Sequence, residues 1–220
     1  MNEKIAVFGA GDLGREIVVL IRQINLSGGN WEIVGFYDDN ESKGAIIGGL
    51  KVCGGVNDLN NLKEPINLIL AIADTETKGK VADRITNPKI SFPVLIHPLV
   101  EHHPFQNIRI GKGSVICAGN NFTMDIHIGD HVLINLGCTI GHDCIINNYC
   151  SIMPGVNISG KVQLGEGVYV GTGSQIINYV SIGDYTTIGA GATVIDNIQP
   201  FAIAVGTPAR IIKLKKQFEN

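Results

Sequence analysis

The chain has 220 residues, a formal net charge of −3 and five cysteines. That length allows one large domain or two small ones, and the weakly acidic balance argues against nucleic acid or an anionic membrane as a partner. An odd number of cysteines without framework spacing points to a reducing compartment, and there is no apolar run of about 18 residues to cross a membrane.

Residues 1–4 lead straight into a strand, without the charged and apolar regions of a leader, so a cytoplasmic protein is expected. A short apolar strand over 4–8 runs into Gly9-Ala10-Gly11-Asp12-Leu13-Gly14. Helical spacing follows over 15–24, with Ile17, Leu20, Ile21 and Ile24 on one side. A second strand over 33–37 ends at Asp38 and Asp39, and a third is expected over 68–73. A helix over 75–85 and a last strand over 92–96 complete a small parallel α/β unit. Residues 98–106, with Pro98 and Pro104, form the junction, which divides the chain into units 1–98 and 99–220.

Gly9, Gly11 and Gly14 form G-x-G-x-x-G between a strand and a helix, with Asp38 further on. Such glycines let backbone N–H groups at a helix start approach a diphosphate. A full dinucleotide fold needs two such halves, and only about ninety residues precede the junction. The loop therefore reads as a cradle for one nucleotide's phosphates. A ligand-free turn and a nicotinamide site are the alternatives.

From Ile110 to Ile198 the chain keeps a six-residue register. Its first position runs Ile110, Ile116, Phe122, Ile128, Ile134, Ile140 and onward to Val194, every one large and apolar. Small or β-branched residues recur four places later, from Ser114 through Val132 and Val156 to Ile198. This period fits neither a helix nor plain alternation; it is that of a parallel β-helix. Three hexads close a triangular coil, so fifteen give five coils and a prism roughly 24 Å long. Cys138, Cys144 and Cys150 share the inward position on the three faces of one coil. They read as small core residues with thiols converging on the axis, because a dry interior disfavours a three-thiolate metal site. Residues 211–218 are expected to form a helix that caps the open end.

The whole chain resembles the bacterial nucleotide-amino-sugar N-acetyltransferases, grouped with sialic acid O-acetyltransferases. The resemblance rests on Val7-Phe8-Gly9-Ala10-Gly11, Gly35-Phe36-Tyr37-Asp38-Asp39, Leu95-Ile96-His97-Pro98, Ile140-Gly141-His142-Asp143-Cys144 and Ala204-Val205-Gly206-Thr207-Pro208-Ala209-Arg210. It implies an α/β unit followed by a left-handed parallel β-helix, in homotrimers that hold acetyl-CoA between neighbouring prisms, with no metal. His142 falls at an outward corner of its hexad, and an imidazole is a side chain able to take a proton at neutral pH. The resemblance makes it the general base and Asp143 its orienting partner, although corner Asp residues also serve turns.

Gly9, Ala10, Gly11, Asp38, Asp39, Ala73 and Asp74 are the expected contacts to a nucleotide-linked amino sugar. Gly160, Thr172 and Ala190 are expected to edge the acetyl-CoA groove, and Gly206, Pro208 and Arg210 to close over its adenine end. Leu13 stands where similar sequences often carry His, so a contact from that side chain is absent. His97 is expected to order the junction, and His102 and His103 to lie on the surface. His127 and His131 invite comparison with zinc-binding β-helical enzymes, but Asn147 stands where that class has a further His. Two other functions remain: O-acetylation of sialic acid or another hydroxyl acceptor, and a non-catalytic trimeric scaffold that binds nucleotide sugar.

Overall fold

A computed structural model describes residues 3–215. The α/β unit comprises β1 (Glu3–Phe8), α1 (Asp12–Leu26), β2 (Trp31–Tyr37), a hairpin of β3 (Ile46–Ile47) and β4 (Leu50–Lys51), α2 (Val56–Asn60), β5 (Ile66–Leu70), α3 (Thr75–Arg84) and β6 (Ile90–Ser91). Strands β2, β1, β5 and β6 form one parallel sheet in that order. Ile17, Leu20 and Ile21 bury one face of α1 against the sheet. The hairpin and α2 are short and carry no strong periodicity, so no sequence signal marks them, and the third strand stops at Leu70 rather than 73.

The expected strand over 92–96 is divided. Ile90–Ser91 joins the α/β sheet, whereas β7 (Leu95–Ile96) pairs with Val115–Ile116 as a rung of the prism. Pro93 lies between them and has no N–H for a ladder, so one continuous strand cannot form there.

The prism has three parallel faces built from two-residue rungs 18 residues apart. The docking face stacks Leu133, Ser151, Tyr169 and Thr187. The second face stacks Asn121, Thr139, Asn157, Gln175 and Thr193, and the third Arg109, His127, Ile145, Gln163 and Ser181. The inward residue of nearly every rung is buried, and Ile116, Ile128, Ile134, Ile146 and Ile152 are all fully covered. Each is worth roughly 1.5–3 kcal/mol, but only because coils above and below close the layer.

The cysteines are buried as expected, yet their thiols turn outward to the corners. Sγ of Cys138, Cys144 and Cys150 donates to the carbonyls of Met153, Ser159 and Gly165 at 3.3, 3.1 and 3.1 Å. Ser114 and Ser174 at the same hexad position donate to Gly129 and Gly189. The position therefore selects a small donor that reaches the next coil's corner carbonyl. Burial pushes the Cys150 thiol up to about 12, so it remains a donor.

The expected capping helix is instead a strand over Arg210–Leu214, antiparallel to Ala202–Val205 on the docking face. β-Branched Ile211 and Ile212 and the open sheet edge favour that outcome; residues 216–218 lie outside the described residues. The α/β unit packs on the docking face through Leu20, Cys117, Val115 and Leu133. Lys78 of α3 is pinned to the carbonyl of Cys150 and Oγ of Ser151.

Candidate active site

The three faces meet at three edges, and the expected site residues divide among them. The first edge joins the docking and second faces, the second edge joins the second and third, and the third edge returns to the docking face. His142 and Asp143 lie on the second edge, between rungs Thr139–Ile140 and Ile145–Ile146. Asp143 adopts φ 59°, which turns its carboxylate back toward the preceding ring. His142 Nδ1 and Asp143 Oδ2 are 2.8 Å apart, and both side chains are about half exposed. With the carboxylate accepting from Nδ1–H, the lone pair resides on Nε2.

The coil below fixes where that nitrogen lies. A Cβ built at Gly160 would sit 2.5 Å from His142 Nε2, so glycine there makes room for the imidazole. Lys161 N donates to His142 O at 2.7 Å, which locks the two coils together. Gly160 thus belongs with His142 on the second edge. Thr172 and Ala190 stack on the first edge instead, so the structure does not bring the three residues together on one chain. Along the first edge Gly171 approaches Ala190 so closely that a Cβ would lie 2.5 Å from its nitrogen. The result is a smooth border of small residues and backbone.

Gly206 caps this edge by accepting from Thr193 N at 3.0 Å, and Ala209, after Pro208, donates to Thr193 O at 2.8 Å. Arg210 extends from the same turn, with Nη1 3.7 Å from Asp196 Oδ2.

In the α/β unit Gly9 has φ 107°, and a Cβ at Gly14 would lie 1.9 Å from Gly9 O, so both glycines are required to form the loop. Gly11 is different: a Cβ there meets nothing within 4 Å. It is the N-cap of α1 and makes no side-chain capping bond, so no capping side chain satisfies the first-turn N–H groups. Asp38 holds the loop through Ala10 N and binds Asn40 N, each at 2.8 Å. Asp39 accepts from Val56 N and pairs with Arg84, each at 2.9 Å. Asp74 caps α3 through Thr77 N. These three carboxylates therefore shape the loops at the sheet's C-terminal edge.

Ala73 and Asp74 also border a cavity of about 390 Å³ between that edge and the docking face, lined by Tyr169, Tyr185, Thr187 and Lys215. No hexad rule singles out these residues, because they are outward positions of ordinary rungs and corners. Tyr185 donates to Glu166, and burial together with that carboxylate raises its pKa.

His97 is buried and accepts from Leu99 N, whereas His102 and His103 are exposed. His127 is exposed on the third face; His131 is buried against Phe92 and Tyr149, and burial holds it near 4. Among the described residues no group of three or more His, Cys, Asp or Glu is arranged to hold a metal ion. No described helix is long and apolar enough to cross a membrane.

Residues 4–85 match the family model of the PglD N-terminal domain, and residues 161–196 match the bacterial transferase hexapeptide model. GDP-perosamine N-acetyltransferase of Escherichia coli O157:H7 is 29% identical over 181 residues, 76% of this chain and 74% of that protein. The acetyltransferase domain of PglB from Neisseria gonorrhoeae superposes with TM-score 0.85 at 29% identity, covering 96% of this chain and all of that one. A His-to-Asn variant of perosamine N-acetyltransferase from Caulobacter crescentus, in complex with CoA and GDP-perosamine, has TM-score 0.84 at 26% identity. It covers 96% of this chain and 97% of that one. The prism is accordingly a left-handed β-helix. The chain thus combines a segment similar to the PglD N-terminal domain with transferase hexapeptide repeats, in a fold shared along nearly its whole length with solved sugar N-acetyltransferases.

Proposed function

We propose that the protein transfers acetyl from acetyl-CoA to the amino group of a nucleotide-linked amino sugar, with His142 as general base. The observation that carries this reading is the His142–Asp143 pair, which leaves Nε2 available above Gly160 on an outward edge. The acceptor amine attacks the thioester carbonyl, and Nε2 takes the amine proton as the tetrahedral intermediate forms. Asp143 stabilises the resulting imidazolium. Collapse expels the CoA thiolate, and the imidazolium returns the proton to it. The relatives named for GDP-perosamine and bound to CoA support an amine acceptor over a hydroxyl.

The division of the expected residues between edges supports a site shared by neighbouring copies. Thr172 and Ala190 border the first edge, while His142 lies on the second. In a homotrimer with parallel prisms, the first edge of one protomer faces the second edge of the next. Acetyl-CoA lies in that cleft, and the glycine loop presents the acceptor's diphosphate to it. All five cysteines are free thiols, which suits a reducing compartment, and we place the enzyme in the cytoplasm.

The test is thiol release from acetyl-CoA with a panel of GDP-, UDP- and dTDP-linked amino sugars, alongside sialic acid. Turnover of a nucleotide amino sugar is expected. Turnover of sialic acid alone would establish O-acetylation, and ligand-induced thermal stabilisation without turnover would identify a scaffold. Light scattering at micromolar concentration should give a trimer; a 23.5 kDa species alone would rule out the shared cleft.

A further inference from the structure

The first edge ends in a cavity that the proposed reaction does not use. Gly119, Gly137, Gly155, Gly173 and Gly191 hold the left-handed corner of that edge in successive coils, with φ between 67° and 76°. The same corner carries Asp143, Lys161 and Tyr179 on the second edge and His131, Tyr149 and Tyr185 on the third, so only the first edge is cleared of side chains throughout. The carbonyls of Ala118, Leu136, Pro154 and Thr172 each accept from the glycine of the next coil at 2.8–3.0 Å, which makes the edge one continuous border. At its N-terminal end α1 encloses about 280 Å³ against the prism, between Val19, Leu20, Cys117, Ala118 and Leu136. Glu16 and Gln23 complete the wall. Leu20 and Cys117 are buried while Val19 and Leu136 are half exposed, so the cavity is mainly apolar and reaches the surface.

Two counts along the prism set this cavity level with the reaction. Ala190 and Leu136 are three coils apart on the first edge, about 14 Å at the spacing of neighbouring strands. The pantetheine arm has roughly the extended reach of four residues, which is also about 14 Å. Seating the adenine at Gly206 and Arg210 puts the diphosphate near Ala190, and the thioester then arrives at Leu136. His142 follows Leu136 by one hexad, a third of a coil, so a neighbouring prism in parallel register brings its imidazole to within about 2 Å of the same height. A chain that continues past the thioester carbonyl along this edge meets Ala118 and the cavity. Met124 is half exposed on the second edge, one coil from His142, and its carbonyl accepts from Asp143 N at 3.2 Å. By the same count it stands level with Ala118.

We infer that this cavity is the acyl pocket of the donor thioester and that it admits propionyl and butyryl groups as well as acetyl, with Met124 of the neighbouring protomer closing its mouth. The inference rests on the shared cleft and parallel trimer proposed above. An acetyl methyl group takes up about the volume share of one water, ~30 Å³, and leaves most of the 280 Å³ unfilled. Added methylenes fill that space and bury their surface against Val19, Leu20 and Leu136. The chemistry is unchanged. The amine nitrogen bonds to the acyl carbon, the carbon–sulfur bond breaks, and the amine proton passes through Nε2 to the departing thiolate.

Thiol release from acetyl-, propionyl- and butyryl-CoA tests this, with the nucleotide amino sugar that the unaltered enzyme acetylates fastest. The two longer donors should match or exceed acetyl-CoA in kcat/KM, by up to roughly fourfold for each added methylene. Ala118→Leu and, from the opposite wall, Val19→Phe each fill the cavity. Either should lower the butyryl-to-acetyl ratio of kcat/KM roughly 10- to 100-fold, the scale of overpacking. Acetyl transfer without propionyl or butyryl transfer overturns the inference and leaves the acetyltransferase reading intact. So does a ratio that neither variant moves, or an acceptor KM raised equally with every donor, which would give the cavity to the acceptor. Loss of the trimer in light scattering of Val19→Phe would assign the space to side chains of the neighbouring copy and likewise overturns it. If the unaltered enzyme acetylates no nucleotide amino sugar, both readings fail.

Discussion

Replacing Lys78 with Met should strengthen the joint between the α/β unit and the prism, most of all at low pH. Lys78 is 1% exposed, and its ammonium has two partners, Cys150 O at 3.2 Å and Ser151 Oγ at 2.9 Å. Burial outweighs the attraction of Asp74 and Cys150 and holds its pKa at about 7 instead of 10.5. His131 faces the same region but is itself held near 4. Because the folded value lies below the unfolded one, the unfolded chain takes up the proton first as pH falls. Stability contributed here is therefore present above about pH 10.5, is lost as pH falls toward 7, and levels off below that. At about 1.4 kcal/mol for each pH unit, the charged form costs roughly 5 kcal/mol below pH 7 and roughly 1 kcal/mol at pH 9.5.

Methionine fills a similar volume and removes that cost. It leaves Ser151 Oγ without its donor, a loss of roughly 1–3 kcal/mol, while Cys150 O still accepts from Leu133 N. A net gain of roughly 2–4 kcal/mol is expected at pH 6.5 and almost none at pH 9.5. Urea titrations followed by the fluorescence of Trp31, the single tryptophan and part of β2, report on the α/β unit directly. Identical pH dependence in both proteins, or a weaker variant at both pH values, would refute the account.

Substituting His142→Ala should lower kcat by about 10²- to 10⁴-fold with little change in either KM or in melting temperature, since the ring lies outside the core. A uniform, small deficit from pH 6 to 9 would remove it from proton transfer. Gly160→Ala should act on the same step. Its Cβ would stand 2.5 Å from Nε2 and displace the ring, so a kcat loss of about 100-fold with an intact fold is expected, and unchanged kcat would contradict the geometry. Gly11→Val should abolish calorimetric binding of nucleotide sugar while preserving the melting temperature, because its side chain meets only open space within the protein. Gly14→Ala should destabilise by about 1–3 kcal/mol or more through collision with Gly9 O; the reverse ranking of the two would dismiss the cradle.

The prism was legible because a two-residue rung buries its inward side chain at a fixed interval, so Ile116 through Val194 report their own positions. Six-residue spacing also located His142 on an outward corner. The same spacing places residues on edges only when counted modulo 18: Gly160 and Thr172 differ by two hexads, two-thirds of a coil, so they occupy different edges. The chain end misled because a cap can be built from a strand as well as a helix, and Ile211 and Ile212 favour the strand. Lys78 was invisible for a different reason. Its environment is made by residues 72 positions away, and nothing local marks a lysine as buried.

The 18-residue coil makes length itself a discrete variable. Removing six residues between Ile146 and Leu164 would leave the apolar period unbroken and the core filled, so the shortened prism should still fold. Everything downstream, however, would rotate by one face. Thr172 would move from the first edge to the third, while His142 stayed on the second. Adding 18 residues would instead lengthen the prism by about 4.8 Å and keep every edge aligned. Insertions and deletions in this array are thus sorted by their remainder modulo 18: those divisible by it conserve the site's compass bearings, and those divisible only by six preserve the solid while scrambling its faces.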